Sequence, residues 1–176
     1  DAKLVETGEA LADARDELVQ ELGPALDLAY SQVAGRPVPV SVSYDAPWRE
    51  HGLAAALEAA RRDELRRGVS LVGPHRDDLV LHLDQLPSRT HASQGEQRSL
   101  ALALRLAAHR VVTDATGSSP ILLLDDVFSE LDPDRSAALL EHLPHGQTVL
   151  SSAAGLPPGA SPELVLRVAN ATIRPE

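Results

Sequence analysis

The sequence predicts an α/β fold with a mostly parallel core sheet. Three observations carry that prediction. Residues 121–124, Ile-Leu-Leu-Leu, run without a polar break into Asp125 and Asp126, the pattern of a short strand buried on both faces. A long apolar stretch of helical period, from about Gln94 to Asp114, comes before it. A second helical stretch and a second apolar strand, Thr148 to Leu150, come after it. Helices alternating with strands in this way mark the α/β class.

The elements follow in chain order. Residues 1 to about 30 read as one helix or a broken pair, with Leu4, Leu11, Leu18 and Leu22 on one side and Val5 and Val19 beside them. That spacing is close to a heptad and suits a helix lying along a partner helix. Gly23-Pro24 predicts a kink or a stop. Val38, Val40, Val42 and Tyr44 alternate with polar residues and Pro39, a half-buried strand that Pro37 and Pro39 push to a sheet edge. The next helix runs from about Glu50 to Arg67, with arginines in its last turns and Gly68 at its stop. Arg61, Arg62, Arg66 and Arg67 suit either DNA phosphates or ion pairs with Glu50, Glu58, Asp63 and Glu64 on or near the same helix, and the second reading is favoured.

Val69 to Val72 reads as a short strand, and Leu79, Leu81 and Leu83 as another. Between them stands Gly73-Pro74-His75-Arg76-Asp77-Asp78, dense in turn formers and charge, which reads equally as a plain charged turn or as one in which Arg76 pairs with Asp77, Asp78 or a neighbouring subunit. A loop through Pro87 and Ser88 leads to Ser93. The helix after it carries Leu100, Leu104, Ala107 and Val111 on one face, with Leu102 and Leu106 close by, so it is buried on more than one side. Gly117 to Pro120 breaks it. Asp134 to Leu143 is a helix capped at Asp132 with Pro133 in its first position. After Thr148 to Leu150, a Gly/Pro-rich loop leads to a last strand at Leu164, Leu166 and Val168.

At 176 residues and 43% hydrophobic, the chain suits one domain or a domain with a small appendage. Its net charge of −10 argues against binding nucleic acid through the overall field. There is no cysteine, so disulfide and thiolate chemistry are excluded. No apolar run has the length of a membrane span and no signal peptide is visible, so a cytoplasmic location without a membrane partner is expected. With no methionine, the chain is expected to be a fragment or a processed piece.

The chemistry concentrates in three places. Acids at the C-terminal end of a parallel strand lie where α/β sheets bind ligands. In a phosphoryl-transfer site of Walker B form, Asp125 would ligate Mg²⁺ and Asp126 would polarise the attacking water. The plain alternative is two solvated acids at a strand end. Ser93-Gln94-Gly95-Glu96 opens the apolar helix as a capping box, Ser93 accepting from the Glu96 amide and Glu96 reaching back. That accounts for both residues. A helix N-terminus with a glycine also offers free amides to a phosphate. Third, Ser129-Glu130-Leu131-Asp132 follows the strand with the form S-x-L-D.

A signature-like turn, a long apolar helix, a breaker, a Walker B strand and S-x-L-D in this order resemble the C-terminal half of an ABC-type ATPase head, whose D-loop has that form. The match narrows to the RecF family, bacterial recombination-mediator ATPases of the SMC/ABC type. It rests on Gly73-Pro74-His75-Arg76-Asp77-Asp78-Leu79, Ser93-Gln94-Gly95-Glu96-Gln97-Arg98 and Leu122 to Asp132, and is firm over residues 68–152. The resemblance implies residues 1–67 as the returning part of an arm-like lobe and 68–176 as the C-terminal portion of the head. Nothing matches a Walker A loop, and Lys3 is the one lysine. The resemblance therefore implies that the phosphate loop comes from a missing N-terminal half and that ATP and Mg²⁺ bind with it. Ser93, Gln94, Gly95 and Glu96, with Ser129 and Asp132, then face the nucleotide of a second copy across an ATP-dependent dimer seam. The implied role is slow, DNA-linked ATP hydrolysis. It serves double-stranded DNA binding at single-strand gaps and RecA loading with RecO and RecR, in a cytoplasmic, nucleoid-associated protein.

Two departures stand out. Asp126 replaces the usual Glu, and Ser151-Ser152-Ala153 follows the second apolar strand where a switch histidine is common, His142 and His145 lying before it. Two other functions compete. A metal-dependent nuclease would use Asp125, Asp126, Glu130 and Asp132 to hold two ions. A non-catalytic interaction module would use none of them.

Overall fold

The computed structural model describes residues 2–176. Helix α1 (Ala2–Ala34) is continuous through Pro24. No stop forms at Gly23-Pro24, because Leu22 and Leu26 on either side are buried in the core and tertiary packing outweighs the missing hydrogen bond. Its buried stripe is Gly8, Ala12, Val19, Leu22, Leu26, Ala29, Tyr30 and Val33. Leu4, Leu11 and Leu18 are exposed instead of forming the inner seam.

Strand β1 (Val40–Asp45) is the edge of a three-stranded sheet in the order β1-β2-β3, with β2 at Asp78–Leu83 and β3 at Leu86–Pro87. Both pairings are antiparallel, Val42 lying opposite Leu81. The Asp27 side chain accepts the Val40 amide at 2.7 Å, which ties α1 to the sheet. Asp84 and Gln85, with φ of 48° and 65°, make the two-residue β2–β3 turn. Helix α2 (Leu53–Arg67) starts three residues later than expected, after a 3₁₀ turn at Pro47–Glu50, and ends on left-handed Gly68. Arg66 pairs with Asp63 at 2.9 Å, as its spacing predicts.

Residues 69–72 form no strand. The Leu71 amide donates to Glu64 at 2.7 Å and the Ser70 carbonyl receives Arg76, so this backbone is committed to side chains rather than to a ladder. Short helix α3 (Ser88–His91) leads into α4 (Gln94–Thr116). Then come β4 (Leu122–Asp125), a 3₁₀ turn at Val127–Glu130, α5 (Pro133–Glu141) and β5 (Thr148–Ser151). Strands β4 and β5 form the parallel pair of the α/β pattern, Leu124 opposite Leu150. A hairpin of β6 (Leu166–Ala169) and β7 (Thr172–Pro175) closes the chain, its second strand not expected from the sequence.

One core joins Tyr30, Leu26 and Val33 of α1 to Leu83 of β2, Ala103 and Leu106 of α4, Leu122 and Leu124 of β4, and Leu139 of α5. The C-terminal part of α1 therefore packs directly on the elements that carry the motifs. A smaller cluster gathers Ala12, Ala46, Trp48 and Leu53. The opposite face of the parallel pair is bare. Leu123 is 71% exposed, and Ile121 and Val149 are also open.

Candidate functional site

Asp125 ends β4 directly beside Ser151 of β5. The Ser151 hydroxyl donates to Asp125 Oδ1, leaving Oδ2 without a partner among the described residues. Asp126 turns out of the strand in the left-handed region, φ 49° and ψ 26°, which aspartate tolerates better than most residues. Several bonds hold that turn. The Asp126 amide donates to the Ser151 carbonyl at 3.1 Å and to its hydroxyl at 3.2 Å. Ser129 Oγ donates to the Asp126 carbonyl at 2.8 Å and to Asp126 Oδ2 at 3.0 Å. Both carboxylates are exposed at the carboxyl end of the parallel pair, the edge where such sheets bind ligands. Asp125 suits a hard divalent cation, since Mg²⁺ takes one or two carboxylates and fills its other positions with water and phosphate oxygens.

Ser93 caps α4 in a complete capping box. Its hydroxyl accepts from the Glu96 amide at 3.3 Å, and its own amide and hydroxyl donate to Glu96 Oε2 at 2.9 and 2.7 Å. These Ser93 bonds hold the Glu96 carboxyl below its ordinary range, with Arg36 and Arg135 adding to the effect. Ser93 and Gln94 are exposed, so the helix tip faces solvent. Gly95 has a neighbour the sequence did not suggest. A Cβ there would lie 2.8 Å from Arg135 Nη1, so a guanidinium of α5 occupies the space that a side chain would need.

The S-x-L-D segment lies against the same helix tip. Asp132 caps α5 through the Arg135 amide at 2.9 Å, with Pro133 in the first helical position, as expected. Its Oδ2 lies 3.5 Å from Arg135 Nη1, and Glu130 lies 3.0 Å from Arg98 Nε. Ser129 is held by Asp126. Glu130 and Asp132 are thus engaged with cations and a helix start, and no group of three or more metal-capable side chains forms among the described residues. A two-metal centre needs its acids to converge, and these do not.

Among the described residues Arg76 pairs with neither Asp77 nor Asp78, although its amide closes the turn on the Gly73 carbonyl at 2.9 Å. Arg76 donates through Nε and Nη2 to the Ser70 carbonyl at 3.0 and 2.6 Å, and Asp78 lies 3.6 Å from Arg89. Asp77 is the anchor, its side chain 1% exposed. It accepts from the Tyr44 hydroxyl and from Trp48 Nε1 (2.7 Å), with Arg15 at 3.7 Å. Arg15 also donates to the Pro74 carbonyl at 2.6 Å. The run is a clasp between α1, β1 and the 3₁₀ turn at Trp48.

Of the side chains at the site, sequence reasoning missed the parts played by Ser151, Arg36, Arg98 and Arg135. Ser151 needs the parallel register to be seen, and the arginines need the fold to bring them to the helix tip. An acid pair ends a parallel strand, a capped helix tip faces solvent and an S-x-L-D turn lies beside it, on an α/β fold of the ABC/SMC-type ATPase class. No family model matches the chain. It is 44% identical over 163 residues to the DNA replication and repair protein RecF of Streptomyces avermitilis, across 88% of this chain and 43% of that protein. It is 44% identical over 168 residues to that of Frankia alni, across 88% and 44%. Among solved structures it is similar to the recombination mediator protein RecF-ATP in the RecFOR pathway. The TM-score is 0.79 at 25% identity, over 99% of this chain and 48% of that one. Against RecF-ATPrS the TM-score is 0.80, also at 25% identity, over 99% and 49%. Over the residues matched, the chain is a RecF homologue, and it spans less than half the length of these relatives.

Proposed function

We propose that this chain is the C-terminal part of a RecF-type ATPase head that pairs with a second head when ATP is bound and engages double-stranded DNA at single-strand gaps. In that role it assists RecA loading with RecO and RecR, in the cytoplasm at the nucleoid. Residues 1–67 supply the returning part of an arm-like lobe, and 68–176 the head portion. One observation carries the reading: the exposed acids at the edge of β4 and the exposed tip of α4 are two separate polar features, each lacking the phosphate loop that would complete a nucleotide pocket.

Asp125 would hold Mg²⁺, which supplies charge neutralisation for the phosphates. Asp126, braced by Ser129 and Ser151, orients and polarises the attacking water. The free amides of Gln94 and Gly95, at the positive end of α4, face the γ-phosphate bound by the other head, with Ser93 and Glu96 holding the turn. Ser129 and Asp132 shape the D-loop along the seam. The P-loop belongs to the rest of the polypeptide. The exposed surface of the chain supports such a complement, being 11922 Å², against about 8,300 Å² for a compact monomer of this mass.

The test is made in the full-length protein. Asp126→Asn is expected to retain ATP binding, lose most turnover and prolong DNA-bound dimers. Ser93→Arg is expected to abolish ATP-dependent dimerisation while the monomer still binds nucleotide. Unchanged turnover in Asp126→Asn favours the non-catalytic interaction module, and normal dimers in Ser93→Arg remove the helix tip from the seam.

A further inference from the structure

The start of α4 and the segment from Glu130 to Arg135 are distant in sequence and belong to different elements, yet one arginine pairs across them and a second packs between them. Arg98 Nε lies 3.0 Å from Glu130 Oε2. Arg135 Nη1 lies 3.5 Å from Asp132 Oδ2 and fills the space beside Gly95. The Arg98–Glu130 pair joins the first turns of α4 to the S-x-L-D segment, and Arg135, paired with Asp132 inside its own segment, packs against α4 at Gly95. We propose that Arg98 and Arg135 are positioning residues that yoke the signature turn to the D-loop, so that both meet an opposing head in fixed register. The inference rests on the ATP-dependent pairing proposed above.

The exposure of the Arg98–Glu130 pair argues for this role over a stabilising one. Arg98 and Glu130 are each about half exposed, and exposed pairs add little to folding. On a closing seam the same pair loses water and its interaction strengthens. Its orientation then matters most when the heads meet. Gly95 gains a second reason to be glycine, since any side chain would displace the Arg135 guanidinium.

Charge reversal in the full-length protein tests the yoke. Arg98→Glu and Glu130→Arg are each expected to weaken ATP-dependent dimerisation by about tenfold or more, since like charges held side by side within one head repel and push the two segments out of register. Nucleotide binding by the monomer and the thermal midpoint should stay unchanged. The double reversal, R98E with E130R, is expected to regain most of the lost dimerisation, which loss of unrelated contacts would not produce. Single variants that dimerise as the parent does, or a double variant no better than the singles, would overturn the yoke. If the unsubstituted protein forms no dimer with ATP, the pairing reading itself fails, and the difference is visible before any variant is made.

Discussion

Asp77 is the residue whose removal should hurt the fold most among the charged positions of the Gly73–Asp78 run. Asp77→Ala takes the acceptor from two donors at once, Trp48 Nε1 and the Tyr44 hydroxyl. Trp48 is buried, so its indole N–H is left without water or partner. Tyr44 and Arg15 are partly exposed and recover some hydration. A buried donor left unsatisfied costs about 1–3 kcal/mol, so the two together predict a loss of about 2–4 kcal/mol. That is a large share of a typical stability of about 5–15 kcal/mol. Asp77→Asn keeps an oxygen for Trp48 and removes the charge facing Arg15, so a smaller loss of about 1–2 kcal/mol is expected. Urea unfolding should show both losses in the midpoint with an unchanged slope. A value for Asp77→Ala within about 0.5 kcal/mol of the parent, the range of an ordinary surface change, would refute the clasp.

Two further outcomes follow from the packing. The hydroxyls of Tyr30 and Tyr44 are both raised above 10.0 by burial first, then by Glu96 beside Tyr30 and by the bond to Asp77 from Tyr44. A pKa raised on folding favours the protonated form, so this contribution is intact below about pH 10, the unfolded value, and is lost as pH rises through the folded value. Comparing tyrosinate absorbance and melting of the parent with Tyr44→Phe should show the smaller alkaline loss in the variant, and a Tyr44 that titrates at or below its ordinary value contradicts the burial argument. Gly8→Ala gains about 1 kcal/mol of helix propensity. Its Cβ, however, would fall 2.5 Å from Leu53 Cδ2 and 3.3 Å from Pro74 Cγ. Leu53 is fully buried, and overpacking costs about 1–3 kcal/mol, so a lowered melting midpoint is expected and a raised one would show that Leu53 can move aside.

What was legible in the sequence is what depends on neighbours along the chain. The capping box at Ser93, the Asp132-Pro133 helix start, the edge position of β1 and the order of helices and strands all belong to that kind. The misreadings share the opposite cause. In α1 the large leucines suggested the inner seam, but Gly8 and Ala12 are buried because small residues let Leu53 and its neighbours approach closely. Residues 69–72 have strand composition, yet Glu64 and Arg76 claim their backbone groups. Strand β7 was missed because its turn uses Asn170 and Ala171, at φ of 51° and 55°, without the glycine that usually signals such a hairpin. At the candidate site the acids and the helix start were legible as motifs, whereas the Ser151 and Arg135 contacts exist only once β5 and α5 are in place.

The two kinds of exposure on this chain have different physical meaning. Ile121, Leu123 and Val149 project from the bare face of a parallel pair, and parallel strands are stable when covered on both sides. Apolar surface of that kind calls for a permanent partner, since water penalises it in every nucleotide state. The acids at the end of β4 and the tip of α4 are different. They are polar and braced by short local bonds to Ser129, Ser151 and Glu96, so they tolerate water while waiting. A switchable contact needs a surface that is stable both open and closed. The polar edge meets that condition and the apolar face does not, which is why we propose the ATP-dependent seam at the edge and not at the face.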